Sequence, residues 1–117
     1  TIIADVGHNE DGIRQIVQQL KLIHYNHLHI VLGFVKDKDV SAALNLLSKN
    51  ATYYFTKAQI PRALNEMDLS KLAHEKGLQG QSFENIDTAL LSAKISYQQN
   101  DLILICGSVF LVAEAKI

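Results

Sequence analysis

Short β-branched and aromatic runs alternate with amphipathic segments along the 117 residues, and this alternation constrains the fold more than any other feature of the chain. Thr1 to Val6, His27 to Phe34, Ala51 to Phe55 and Leu102 to Cys106 read as strands, with Leu78 to Phe83 as a short edge strand. Between them apolar residues recur at helical spacing, as in Ile13, Ile16, Val17 and Leu20, or Ile86, Ala89, Leu90 and Ala93. Strands that alternate with helices of this length are joined by right-handed crossovers, which build a mostly parallel sheet covered by helices on both faces. The expected fold class is therefore α/β, a Rossmann-like three-layer domain.

Local signals mark the boundaries. Asn9 is a good N-cap, and Glu10 and Asp11 place negative charge at the positive end of the first helix. Asp39 is a candidate cap of a helix with the stripe Val40, Ala43, Leu44 and Leu47. Proline suits a first helical turn, so Ile60-Pro61-Arg62-Ala63 is expected to open a helix running to about Met67. After a break, Asp68 caps a second helical piece through Leu69, Leu72 and Ala73, which Gly77 stops. Asn85 caps the next helix, and Val109 to Ala115 forms a final short one.

A chain of this length fits one domain spanning residues 1–117. Its formal net charge of -1 supplies no broad positive field, which argues against a nucleic-acid partner and for a small ligand. The single cysteine, Cys106, can make neither an internal disulfide nor a cysteine zinc cage, and a reducing, cytoplasmic setting fits. No apolar stretch approaches the roughly 18 to 20 residues that span a bilayer. Thr1 opens directly into a strand with no initiator methionine, so the chain is expected to be part of a longer protein.

In a doubly wound sheet ligands sit beyond the carboxyl ends of the strands. Three such places stand out: Asp5-Val6-Gly7-His8-Asn9, Gly33 to Asp39, and Gly107-Ser108. Asp5 can accept bonds from ribose hydroxyls, and His8 can bind a carboxylate or pass a proton. The same residues also read as turn and cap residues around a solvated histidine. Lys36 and Lys38 offer ammonium groups to a carboxylate or phosphate, or form a solvated loop with Asp37 and Asp39. Ser108 bonds a ligand or caps the last helix. A serine nucleophile is a poor fit without the G-x-S-x-G elbow, and no G-x-x-x-x-G-K-[ST] phosphate loop occurs. His24, His27 and His29 lack the further ligands a metal needs and are expected to be edge or packed residues. Tyr53, Tyr54 and Phe55 read as strand core and surface.

Taken together, these strand ends resemble one family. Asp5-Val6-Gly7-His8-Asn9 is similar to D-G-A-H-N-P, Gly33 through Val40 to G-x-x-x-D-K-D-hydrophobic, and Gly107-Ser108-Val109-Phe110-Leu111-Val112 to G-S-L-Y-L-V. Pro61-Arg62-Ala63 resembles a further segment of that family. The pattern is that of the carboxy-terminal domain of the folylpolyglutamate synthase and dihydrofolate synthase family, within the Mur ligase superfamily. It covers essentially the whole chain.

The resemblance implies an ATP-dependent amide ligase. An amino-terminal domain outside this chain would hold the phosphate loop, Mg2+ and the folate or dihydropteroate substrate, whose carboxylate is phosphorylated and then attacked by the amine of L-glutamate. The present domain would close over ATP. By position, Asp5 would contact the ribose region of the nucleotide, His8, Asn9 and Ser108 the incoming glutamate, and Lys38 a carboxylate. No residue is assigned a catalytic or metal-binding role. Val6-Gly7 departs from the usual glycine-alanine pair, and Glu10 stands where proline usually opens the helix, adding negative charge near the glutamate site. The linker arginine of the family would precede Thr1. A cell-wall Mur ligase domain and a non-catalytic Rossmann-like binding module are the alternatives.

Overall fold

The computed structural model describes residues 1–36 and 39–116. In chain order the elements are β1 (Ile2–Ala4), α1 (Glu10–Leu20), β2 (Leu28–Leu32), α2 (Val40–Asn45), β3 (Thr52–Phe55), α3 (Glu66–Glu75), β4 (Gln79–Ser82), α4 (Ile86–Ser96), β5 (Leu102–Cys106) and α5 (Val109–Glu114). Among the described residues the strands form one sheet in the order β1-β5-β2-β3-β4, with every neighbouring pair parallel. The expected three-layer α/β fold is the observed one.

The two faces of the sheet carry separate cores, because successive strand residues point to opposite sides. Leu28, Ile30 and Leu32 of β2 pack with Ile13, Ile16, Ala43, Leu44, Leu69 and Ala73, so α1, α2 and α3 share one face. Val31 of β2 and Ile103 and Ile105 of β5 pack with Ile86, Ala89, Leu90 and Leu111, which places α4 and α5 on the other. The distribution follows from crossover handedness. The chain steps in one direction from β2 to β4 over the first face, and on reversing toward β5 it must cross over the second face to keep the same hand.

This reversal positions the functional edge. β5 sits between β1 and β2, and it exits to the face opposite the one taken by the exits of β1 and β2. The strand ends are tied in line by bonds that extend the ladder: Asp5 N donates to Ile105 O (2.9 Å), Gly33 N to Cys106 O (3.3 Å) and Thr56 N to Leu32 O (2.9 Å).

One expectation is corrected. Residues 60–65 are not helical: Ala63 makes an isolated antiparallel bridge with Val35, while Lys36 N donates to Arg62 O and Leu64 N to Phe34 O, both at 2.8 Å. The backbone leaving β2 needs partners for these groups, and the turn at Pro61 supplies them. α3 accordingly starts at Glu66, capped by Asn65, whose side-chain oxygen accepts from Met67 N at 2.8 Å; Asp68 lies in its first turn instead of capping it. Gly77 ends the helix with φ 83°, as expected of a left-handed stop.

Candidate functional site

The turn after β1 is built by its own short side chains. Asp5 Oδ1 accepts from Gly7 N at 2.9 Å, and Asn9 caps α1 by accepting from Gly12 N at 2.8 Å. The second oxygen of Asp5 takes no hydrogen bond from any described residue. His8 is exposed, with Nδ1 3.3 Å from Val6 O. Glu10 does not stand as an isolated charge beside it, because Arg14 Nη2 donates to its carboxylate at 2.9 Å while Arg14 Nη1 lies 3.5 Å from Asp11. The proline that usually occupies this position is thus replaced by an intrahelical ion pair.

The turn after β5 lies against the first one. Gly107 N donates to Gly7 O at 3.1 Å, so the backbone of the His8 turn is bonded directly to the residue before Ser108. A side chain could not enter this joint. Gly107 has φ 109°, and a Cβ on it would stand 2.3 Å from Gly33 O, while a Cβ on Gly33 would stand 2.8 Å from Thr56 O. Three strand-end turns therefore meet backbone to backbone. Ser108 is buried, and its hydroxyl oxygen caps α5 by accepting from Phe110 N (3.1 Å) and Leu111 N (3.4 Å). The hydroxyl hydrogen donates to no described residue. Beneath the joint, burial and then the Asp5 charge push the Cys106 thiol up to about 12, so it stays protonated and behaves as a small core hydrophobe.

Asp5, His8, Asn9 and Ser108 are thus brought to one sheet edge, at neighbouring strands β1 and β5 whose exits diverge to opposite faces. In an open α/β sheet that divergence leaves the ligand crevice. Lys38 lies outside the described residues. Lys36 leaves the end of β2 as an exposed side chain, and with Lys57, Asn65 and Asp68 it lines a cavity of about 550 Å³. Lys57 was missed by sequence reasoning, although its place directly after β3 was a usable signal. Its ammonium lies 3.3 Å from the buried Glu66 carboxylate.

Other polar groups lie elsewhere. A cavity of about 590 Å³ between β3, β4 and α4 is lined by Thr52, Tyr54, Gln79, Gln81, Ser92 and Ser96, but it lies away from the strand ends that meet at Gly107. His27 and His29 are packed residues, as expected. His29 Nε2 bonds Asp101 Oδ2 and His29 Nδ1 bonds Tyr54 Oη, both at 2.9 Å, and His27 Nε2 lies 2.7 Å from Thr52 Oγ1. Among the described residues no three His, Cys, Asp or Glu side chains come together to hold a metal, and no helix is long and apolar enough to cross a membrane.

Comparison with known proteins agrees with this fold. The family model described as Mur ligase, glutamate ligase domain, matches residues 1–109. A probable bifunctional folylpolyglutamate synthase/dihydropteroate synthase of Haloferax volcanii is 31% identical over 119 residues, covering 99% of this chain and 14% of that protein. The dihydrofolate synthase/folylpolyglutamate synthase of Escherichia coli is 29% identical over 115 residues, covering 96% of this chain and 26% of the relative. Among solved structures, Escherichia coli FolC in complex with DHPP and ADP superposes with a TM-score of 0.86 at 26% identity, over 96% of this chain and 27% of that one. A bifunctional folylpolyglutamate synthase/dihydrofolate synthase with Mn, AMPPNP and L-glutamate bound gives 0.85 at 26% identity, with the same coverage of 96% and 27%. The chain therefore spans about a quarter or less of the length of these relatives.

Proposed function

This chain belongs to the Mur ligase glutamate ligase domain family, and from that membership we propose that it is the carboxy-terminal domain of an ATP-dependent folylpolyglutamate or dihydrofolate synthase. The enzyme adds L-glutamate to a folate or dihydropteroate carboxylate by way of an acyl phosphate. The observation that carries the reading is the 3.1 Å bond from Gly107 N to Gly7 O, which joins the two turns bearing the family's motifs at the point where the chain paths diverge. The relatives are folate enzymes, which favours this branch over the cell-wall ligases and over a non-catalytic module.

Within this reading each side chain has a task. The unbonded oxygen of Asp5 accepts from the nucleotide ribose, while its other oxygen keeps the turn rigid. His8 and Asn9 face the incoming glutamate from the β1 side and the Ser108 hydroxyl from the β5 side. Lys38 is assigned to a glutamate carboxylate. The described residues do not fit a metal ion, so Mg2+, together with the phosphate loop and the pterin-bearing substrate, is assigned to an amino-terminal domain, which is this domain's partner. Closure of the two domains would shield the acyl phosphate from water and align the amine with it. A buried, protonated Cys106 suits the reducing cytoplasm in which such an enzyme would work.

The test is ATP-dependent incorporation of labelled glutamate. The full-length enzyme should add it to folate or dihydropteroate, and the 117-residue chain alone should not, because it lacks a phosphate loop. Turnover by the isolated chain would overturn the domain assignment.

A further inference from the structure

The bond made by the His8 ring assigns its proton. A backbone carbonyl oxygen can only accept, so the Nδ1 that lies 3.3 Å from Val6 O carries the hydrogen, and in the neutral ring Nε2 then holds the lone pair. His8 is exposed, and no described residue bonds its Nε2. The turn that aims it is braced on both sides, by Gly7 N donating to Asp5 and by Gly107 N donating to Gly7 O. The result is an imidazole held in one tautomer at the ligand edge, with its basic nitrogen free.

Amide formation requires such a group. The amine of a free amino acid is an ammonium ion near neutral pH and has no lone pair with which to attack. We propose that His8 is a catalytic residue, the general base that takes a proton from the α-ammonium of the incoming amino acid. This rests on the ligase reading above and deepens it.

The step balances without a further reagent. One ammonium proton moves to His8 Nε2, giving an imidazolium whose other N–H stays on Val6 O. The freed nitrogen pair forms the C–N bond to the acyl-phosphate carbon, and the C–O bond to phosphate breaks. A second nitrogen proton leaves with the phosphate, the third remains on the amide, and His8 returns its proton to solvent.

Few charged groups surround His8 among the described residues. On its own element the charged neighbours are Asp5 and the mutually paired Glu10, Asp11 and Arg14. The β5–α5 turn packed against it, Gly107 to Phe110, contributes no charge, and Cys106 beneath is a neutral thiol. Lys36, leaving β2, is the described cation on the next strand end.

Two measurements test the proposal. On the 117-residue chain, nitrogen–proton correlation NMR of the neutral His8 ring should show the Nδ1–H tautomer; an Nε2–H ring would overturn the proposal whatever the enzyme does. In the full-length enzyme His8→Gln is assayed with ATP and folate substrate, using either L-glutamate or hydroxylamine as nucleophile. Hydroxylamine is already neutral at pH 7 and needs no base. The ratio of hydroxamate to glutamate product should rise by about 100-fold or more in the variant, within the usual range for a lost general base. The variant is compared at saturating glutamate, where a lost base lowers kcat and a lost binding contact raises KM. An equal fall of kcat with both nucleophiles would overturn the base, and a change confined to the KM for glutamate would overturn it too and leave His8 a binding residue. Failure of the parent enzyme to form either product would overturn the ligase reading itself.

Discussion

Two polar clusters in this domain contrast sharply, one buried against α4 and one at the carboxyl edge of the sheet. In the first, His29 is 3% and Asp101 7% exposed, and every polar atom has a neighbour: Asp101 accepts from His27 N, Gln98 N and the His29 ring, whose far nitrogen bonds Tyr54. At the carboxyl edge Asp5 has one oxygen in a turn and one unbonded, and His8 uses one ring nitrogen of two. A satisfied buried network stabilises and has no capacity left for a ligand. Half-satisfied groups held by a rigid backbone contribute little to stability but are ready to bind. The difference teaches where to look for a ligand: His29 is committed at both ring nitrogens, whereas His8 keeps one ring nitrogen without a described partner.

The contrast can be broken most severely at the joint. Gly107→Ala would place a Cβ 2.3 Å from Gly33 O on a residue with φ 109°, and a loss on the order of 3 kcal/mol or more is expected in urea denaturation of the chain. A variant as stable as the parent would show that the turns are not locked together.

Substitution within the edge should spare stability more than binding. His8→Ala and Ser108→Ala in the full-length enzyme should each raise the glutamate requirement by an amount corresponding to roughly 1–3 kcal/mol, and the double variant should lose less than their sum, as for groups that grip one ligand. Ser108→Ala will also cost about 0.5–2 kcal/mol of stability as a lost cap. Additive losses seen only in stability would make Ser108 a cap and nothing more.

Asp5 sharpens the comparison because it has both characters. Asp5→Asn keeps an oxygen for Gly7 N and should leave the denaturation midpoint nearly unchanged, yet it removes the charge and should weaken ATP use, by about 1.5–3 kcal/mol in the kinetic term for ATP. If Asp5→Asn leaves the ATP term unmoved while Asp5→Ala destabilises the fold, Asp5 only braces the turn.

The smallest effect is confined to acid pH. The His29 hydrogen bond, with support from backbone donors, lowers the Asp101 pKa from its ordinary value of 3.8. A carboxyl whose folded pKa is depressed contributes stability above its unfolded value and loses it as pH falls through the folded one. Asp101→Asn should therefore flatten the stability–pH curve below about pH 4 without touching glutamate use. An unchanged acid limb would mean the network does not hold the charge.

Much of the architecture was determined locally and was legible. Asn9, Asn85 and Ser108 accept from backbone N–H groups of the helices they begin, and Gly77 turns left-handed after α3, because caps and stops depend on a few adjacent residues. The strand positions and the two-sided burial followed from periodicity in the same way, while the motifs at three strand ends were legible as a family resemblance.

What only the tertiary structure decided is pairing. Apolar periodicity says that a segment is a strand, not which strand it lies beside, so the insertion of β5 between β1 and β2 could not be read from the chain. That insertion is what sets Gly107 against Gly7 and brings His8 to Ser108. The same limit hid the Asp101–His29 bond, which spans 72 positions, and the turn at Pro61, where a helix-compatible segment serves the backbone leaving β2. Long-range hydrogen bonds form only after the chain has been brought together, and their geometry leaves no periodic trace in the sequence.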